Sequence, residues 1–179
     1  KEYYRQQLGI TDDRCVVTFF GSWNKESLFH VLGEELFAKC EKLKDKYLFI
    51  FSIHPNEYRV YDKKVKPLGN LVEEQRKHGF LVRSPREDWL PYMMASDMIV
   101  ADYTTMTALA ILADKSIYYE MKRRLPVIHT AAELEQKLKE AASGEKCKGL
   151  VLKCKEDLYV TYDQYQKTVK RITSEMMNK

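Results

Sequence analysis

Residues 95–120 read ASDMIVADYTTMTALAILADKSIYYE: a short apolar strand ends in Asp102-Tyr103-Thr104-Thr105 and runs straight into an apolar helix, followed by a second strand. A buried strand that delivers its carboxyl end to a helix start builds an anion cradle. The first backbone N–H groups of that helix have no internal partner, and the helix dipole favours negative charge there. Thr104 and Thr105 add two hydroxyls at the same spot.

The rest of the chain repeats the strand half of this pattern. RCVVTFF (14–20), YLFIFSI (47–53), GFLVRS (79–84), DMIVAD (97–102), SIYY (116–119) and GLVLK (149–153) are short, apolar and free of polar alternation. Strands of that kind are buried on both faces. Between them lie helical patterns. Leu28, Val31, Leu32, Leu36, Cys40 and Leu43 mark one helix face, and residues 71–78 end in a basic residue before Gly79. Ser84-Pro85-Arg86-Glu87 and Thr130-Ala131-Ala132-Glu133 read as capping boxes that start two further helices. Alternation of this sort predicts right-handed crossovers and an α/β, Rossmann-like parallel sheet sandwiched by helices, with ligands beyond the carboxyl ends of the strands.

Residues 1–179 are expected to form a single domain. Leu158, Tyr162, Tyr165, Val169, Ile172 and Met176 put one apolar stripe on a long C-terminal helix over 155–179, which packs on this domain or bridges to another. At 45% hydrophobic and 31% charged residues, the composition suits one globular core. The formal charge of +4 is scattered among acids, so nucleic acid is not an expected partner. There is no apolar run of membrane-spanning length and no signal-like amino terminus, so the expected location is cytoplasmic. Cys15, Cys40, Cys147 and Cys154 lack the C-x-x-C pairs of zinc and redox centres and read as free thiols.

If the strands run parallel, Gly21-Ser22, His54-Pro55, Ser84-Pro85-Arg86, Asp102-Tyr103-Thr104-Thr105 and Glu120 converge on one rim. Gly21-Ser22 suits close approach of backbone to a ligand, or forms a plain turn. His54 follows an apolar strand and precedes a proline that forces extended backbone, so its imidazole emerges at the sheet edge to donate to phosphate or act as an acid. His30 and His78 read as scaffold, while His129 ends an apolar run near the cleft. A carboxylate at Asp102 would repel a bound phosphate unless turned toward backbone N–H groups or a sugar hydroxyl, so its role is orienting or capping. Arg86 either supplies positive charge to a pyrophosphate or faces solvent.

The order of these pieces resembles the carboxyl-terminal half of the CDP-glycerol glycerophosphotransferases, the teichoic-acid polymerase and primase family. The resemblance spans roughly residues 5–142, with its strongest signal in His54-Pro55 and in Ser96 to Thr105, where threonines replace the family's serines. It implies one half of a two-domain GT-B architecture. The carboxyl half would bind a CDP-activated donor, with His54, Thr104 and Thr105 on the pyrophosphate and the loop at Arg83 to Pro85 on the base. Transfer would be metal-independent and would need no other cofactor. An acceptor hydroxyl attacks phosphorus and CMP leaves, the base coming from an N-terminal half outside these residues. The acceptor would be lipid-linked, placing the enzyme peripherally at the inner face of the plasma membrane. Leu109 stands where the family carries an aspartate and Ser116 where it carries a proline, and the segment after that strand is shortened to YEMKRRLP. A nucleotide-sugar GT-B transferase or epimerase domain is the alternative within the same fold. A non-catalytic Rossmann-like regulatory module is the alternative outside it, though Asp12 and Asp13 precede the first strand instead of following it as a receiver domain requires.

Overall fold

The structure, a computed structural model, describes residues 1–23, 25, 27–59, 67–102, 106, 109–110, 116–118 and 130–142. In chain order the elements are α1 (Glu2–Gln7), β1 (Cys15–Phe20), α2 (Leu28–Leu43), β2 (Tyr47–Ser52), α3 (Leu68–Glu74), β3 (Leu81–Val82), α4 (Leu90–Ala95), β4 (Met98–Ala101), β5 (Ser116–Tyr118) and α5 (Leu134–Ala142). The strands form one sheet in the order β3-β2-β1-β4-β5, with every neighbouring pair parallel. The chain therefore winds outward from β1 to β3, returns to the other side of β1 as β4, and continues to β5. This is the α/β, Rossmann-like fold expected from the apolar runs. The reversal between β1 and β4 is a topological switch point, where such sheets open a crevice at their carboxyl edge.

The period of two along each strand divides the core. Val17, Phe19, Phe49 and Phe51 meet Phe29, Phe37 and Phe80 on one face, whereas Val16, Phe20, Ile50 and Ile99 serve the other. Burying one such side chain contributes about 1.5–3 kcal/mol. Thr18 interrupts the second face and is fully buried, and its hydroxyl pairs with that of Ser96 at 2.6 Å.

Two local readings are corrected. Val31 is 46% exposed, and Phe29 takes the buried place on α2. Gly33, at φ 52° and ψ −144°, breaks the helical path, so residues before it run in a different phase from those after it. The second correction concerns Ser84 to Glu87, which form a turn while α4 starts only at Leu90. Only half of the box closes: the Ser84 amide donates to the Glu87 carboxylate at 2.9 Å, while the Glu87 amide donates to the Ser84 carbonyl at 3.0 Å, a turn bond in place of the bond to the serine hydroxyl. A helix from there would need an N–H on Pro91 to reach the Glu87 carbonyl, and proline has none. Arg83 donates to that carbonyl instead, at 2.7 Å.

The second box does precede a helix. Residues Ala131–Glu133 form a 3₁₀ turn that leads into α5, although the Thr130 side chain makes no cap bond. Residues Gln75–His78 close α3 with a 3₁₀ turn ending at left-handed Gly79, φ 83°, as the Gly79 position predicts. Cys15 and Cys40 are free thiols, and burial raises both, Cys15 to about 11. The 149–153 strand, the 155–179 helix, Cys147 and Cys154 lie outside the described residues.

Candidate functional site

Because β1 to β4 are parallel neighbours, their carboxyl ends share one edge. That edge carries Gly21-Ser22 from β1, His54 from β2, Arg83-Ser84 from β3 and Asp102 from β4. The predicted convergence holds for all four. Tyr103, Thr104, Thr105, Glu120 and His129 lie outside the described residues. Met106, Leu109 and Ala110 of the apolar helix pack with Phe20, Met93, Ile99 and Ala101.

Asp102 closes the seam between β1 and β4. One carboxylate oxygen accepts from the Ser22 backbone N–H at 2.6 Å and from its hydroxyl at 3.0 Å. The other accepts from the Leu28 N–H at 2.7 Å. A single carboxylate thus ties both ends of the loop joining β1 to α2 and satisfies an amide of the first helical turn. The carboxylate is thus turned toward backbone N–H groups, the capping arrangement. Burial raises the Asp102 pKa, opposed by the two backbone N–H groups, the Ser22 hydroxyl and the charge of His30.

Gly21 is glycine because of the core. A Cβ there would lie 2.3 Å from Cδ2 of the buried Phe29 ring, and the Gly21 N–H already donates to the Ser52 carbonyl at 3.0 Å. The missing side chain makes room for the Phe29 ring.

Arg83 is 7% exposed and its guanidinium is spent on the protein. Nε donates to the Ser52 hydroxyl at 2.7 Å, Nη1 to the carbonyls of Ser84 and Glu87 at 3.1 and 2.7 Å, and Nη2 to the Ile53 carbonyl at 3.2 Å. It therefore shapes the turn that holds Ser84 and Pro85. Arg86, in the same turn, is exposed.

His54 is the N-cap of the 3₁₀ turn Pro55–Tyr58, and its Nδ1 accepts from the Asn56 N–H at 3.1 Å. An accepting Nδ1 places the proton of the neutral ring on Nε2, which has no hydrogen-bond partner among the described residues. Burial lowers the His54 pKa below 6.5; Glu57 raises it, and the charges of Arg83 and Arg59 lower it further. At neutral pH the side chain is thus an uncharged Nε2–H donor at the sheet edge.

Two neighbours were not singled out from the sequence. Trp23, directly after Gly21-Ser22, is 55% exposed, and its ring centroid lies 6.2 Å from that of His54 at 35°. Glu57, three residues past His54, meets Nε2 of His30 at 3.1 Å from both carboxylate oxygens. His30 is scaffold as expected, though it sits in the first turn of α2 and pins that turn to the one bearing His54.

The conspicuous Ser96-Asp97 pair serves the opposite, amino edge. The Ser96 hydroxyl donates to the Tyr92 carbonyl at 2.6 Å. Asp97 accepts from the Val16 N–H at 2.8 Å and from Arg5 at 2.6 Å, and also pairs with Lys1. Among the described residues no cluster of His, Cys, Asp and Glu could hold a metal ion, and no helix is long and apolar enough to cross a membrane.

No protein-family model matches this chain, and no curated protein matches it. Solved structures do. The wall teichoic acid polymerase TagF, soaked with CDPG, aligns with a TM-score of 0.57 and 14% identity over 90% of this chain and 40% of that one. MnaA of S. aureus, in a co-structure with UDP, aligns at 0.56 and 14% over 87% of this chain and 43% of that one. The C-terminal domain of LpcC, a glycosyl transferase group 1 family protein from Francisella tularensis, aligns at 0.54 and 14% over 89% and 90%. The chain thus spans less than half the length of TagF and MnaA. What these likenesses establish is the fold, a Rossmann-like domain of the kind found in GT-B glycosyltransferases.

Proposed function

We infer that this chain is the donor-binding half of a GT-B transferase and holds a nucleoside diphosphate-linked donor at the carboxyl edge of the sheet. The observation that carries the reading is the position of His54. It is a neutral Nε2–H donor on β2, one strand from the switch point where Asp102 anchors the start of α2. A donor at that place can hold an oxygen of the diphosphate as negative charge grows on the leaving group. The amide groups after Asp102, with Thr104 and Thr105, would take the remaining phosphate oxygens, and the Ser84-Pro85 turn shaped by Arg83 would border the base.

In the leading reading the donor is CDP-activated and the transferred unit is a polyol phosphate bound for a cell-surface polymer. An acceptor hydroxyl attacks phosphorus and CMP departs, with the proton passing to a base outside this domain. Such transfer depends on positioning and charge stabilisation, which a fixed histidine supplies. The resemblance at His54-Pro55 and at Ser96 to Thr105 supports this reading, as does the fold shared with TagF. The UDP held by MnaA supports a second reading, in which a sugar leaves its nucleoside diphosphate.

Thermal unfolding with CDP, UDP, ADP and GDP separates them. A ligand at one hundred times its Kd adds about 2.7 kcal/mol of stability. Stabilisation by CDP above the others supports the polyol-phosphate reading, and preference for UDP supports the sugar. No shift with any nucleotide overturns donor binding.

A further inference from the structure

We propose that Trp23 is the contact for the group carried on the donor's outer phosphate, gripping the C–H face of a polyhydroxylated carbon unit. The inference rests on the reading of this edge as a nucleotide-donor site. Three observations carry it. Trp23 is a large aromatic side chain left 55% exposed, although the loop bearing it is tied down at both ends, at Ser22 and at Leu28, by Asp102. The residue directly before the indole is held by Asp102, so using the ring costs little ordering of the backbone on that side. Its ring centroid lies 6.2 Å from that of His54, on the neighbouring strand end about 4.8 Å away in the sheet. A phosphate oxygen on the His54 Nε2 thus leaves the next group of the donor within reach of the indole.

The chemistry of that group matches the surface. The indole face carries partial negative charge, and C–H bonds flanked by hydroxyls are its polarised partners. Glycerol and a sugar ring both present such bonds beyond the outer phosphate, where the bare diphosphate ends; the ribose, which presents them too, is common to both ligands. Trp23 therefore discriminates a loaded donor from its bare nucleoside diphosphate.

The test uses this chain and its Trp23→Ala and Trp23→Phe variants, titrated by calorimetry with CDP, CDP-glycerol, UDP and UDP-glucose. Wild type is expected to bind one loaded donor about three- to tenfold more tightly than its bare nucleotide. Trp23→Ala should erase that increment while leaving the affinity for the bare nucleotide unchanged, and Trp23→Phe should keep most of it. An increment with CDP-glycerol identifies the open-chain unit, and one with UDP-glucose the ring. With Trp89→Phe in place Trp23 is the sole tryptophan of the chain, and its fluorescence should respond to the loaded donor beyond its response to the nucleotide. Equal losses for bare and loaded ligands in Trp23→Ala, or no increment in a wild type that binds nucleotide, overturns the role of Trp23 alone. A wild type that binds no nucleotide removes the donor site and this contact with it.

Discussion

Asp102 and Ser22 meet across the reversal in strand order, where one carboxylate oxygen accepts both the backbone N–H at 2.6 Å and the hydroxyl at 3.0 Å. The same side chain holds Leu28, so the loop between β1 and α2 has one anchor for two ends.

Asp102→Ala leaves two amides without that acceptor, at a cost of about 2–4 kcal/mol. Asp102→Asn keeps one accepting oxygen and should lose roughly half as much. Denaturant midpoints of the three proteins at pH 7 measure this. An alanine variant as stable as wild type would show that the loop is held by something else.

Arg83→Lys tests whether the Ser84-Pro85 turn depends on a planar fork. A lysine cannot reach the Ser52 hydroxyl and the carbonyls of Ile53, Ser84 and Glu87 together. With those acceptors buried or half-buried, a loss of roughly 2–3 kcal/mol is expected despite the conserved charge. Thermal unfolding with full retention of stability would refute the clamp.

Gly21→Ala should cost about 1–3 kcal/mol, because its Cβ would overlap the Phe29 ring at 2.3 Å. Phe29→Leu makes room, so the double variant should lose less than the two single losses added together. Strict additivity in that cycle would mean the ring and the glycine do not interact.

The layout of the sheet was legible from its strands because buried parallel strands are apolar throughout and need no partner to be recognised. The side-chain roles at the edge were less legible. Gly21, Ser22, Arg83 and Asp102 sit where a ligand would approach, yet each is engaged with protein atoms 30 to 80 positions away in sequence. Pairings of that range depend on register and leave no local pattern. The helix expected at 85 failed for a local reason that was visible, Pro91 four residues past Glu87. Val31 was misplaced because Gly33 shifts the helical phase, and a glycine inside a periodic run does not announce its φ.

Acid stability should turn on Asp97. Burial pushes its pKa up, but the Lys1 hydrogen bond, the Val16 N–H and the charges of Lys1 and Arg5 outweigh it, and the carboxyl sits below its ordinary 3.8. A depressed acid contributes stability that is fully present above 3.8 and lost as pH falls through the folded value. Asp97→Asn should be less stable at pH 7 and show a shallower decline below pH 4, read from denaturant midpoints between pH 2.5 and 7. Asp102, whose pKa is raised, acts with the opposite sign, since its protonation in the folded protein favours the fold as pH falls toward 3.8.

The binding role of His54 has its own pH signature. Burial, with Arg83 and Arg59, holds the imidazole below 6.5, so it is neutral at pH 8 and charges only as pH falls past that value. A diphosphate on Nε2 favours the charged ring and must raise its pKa, so by linkage nucleotide affinity should climb as pH drops from 8 toward 6. The climb should begin above 6.5 if the bound complex titrates there. His54→Gln keeps an amide donor near Nε2 without the titration, and should bind more tightly than His54→Ala while losing the slope. Both variants forfeit the bond from the Asn56 N–H, worth about 0.5–2 kcal/mol for a cap, so their folding is checked by thermal unfolding first. A slope of equal size in folded His54→Gln would assign the proton to another group and remove His54 from the phosphate.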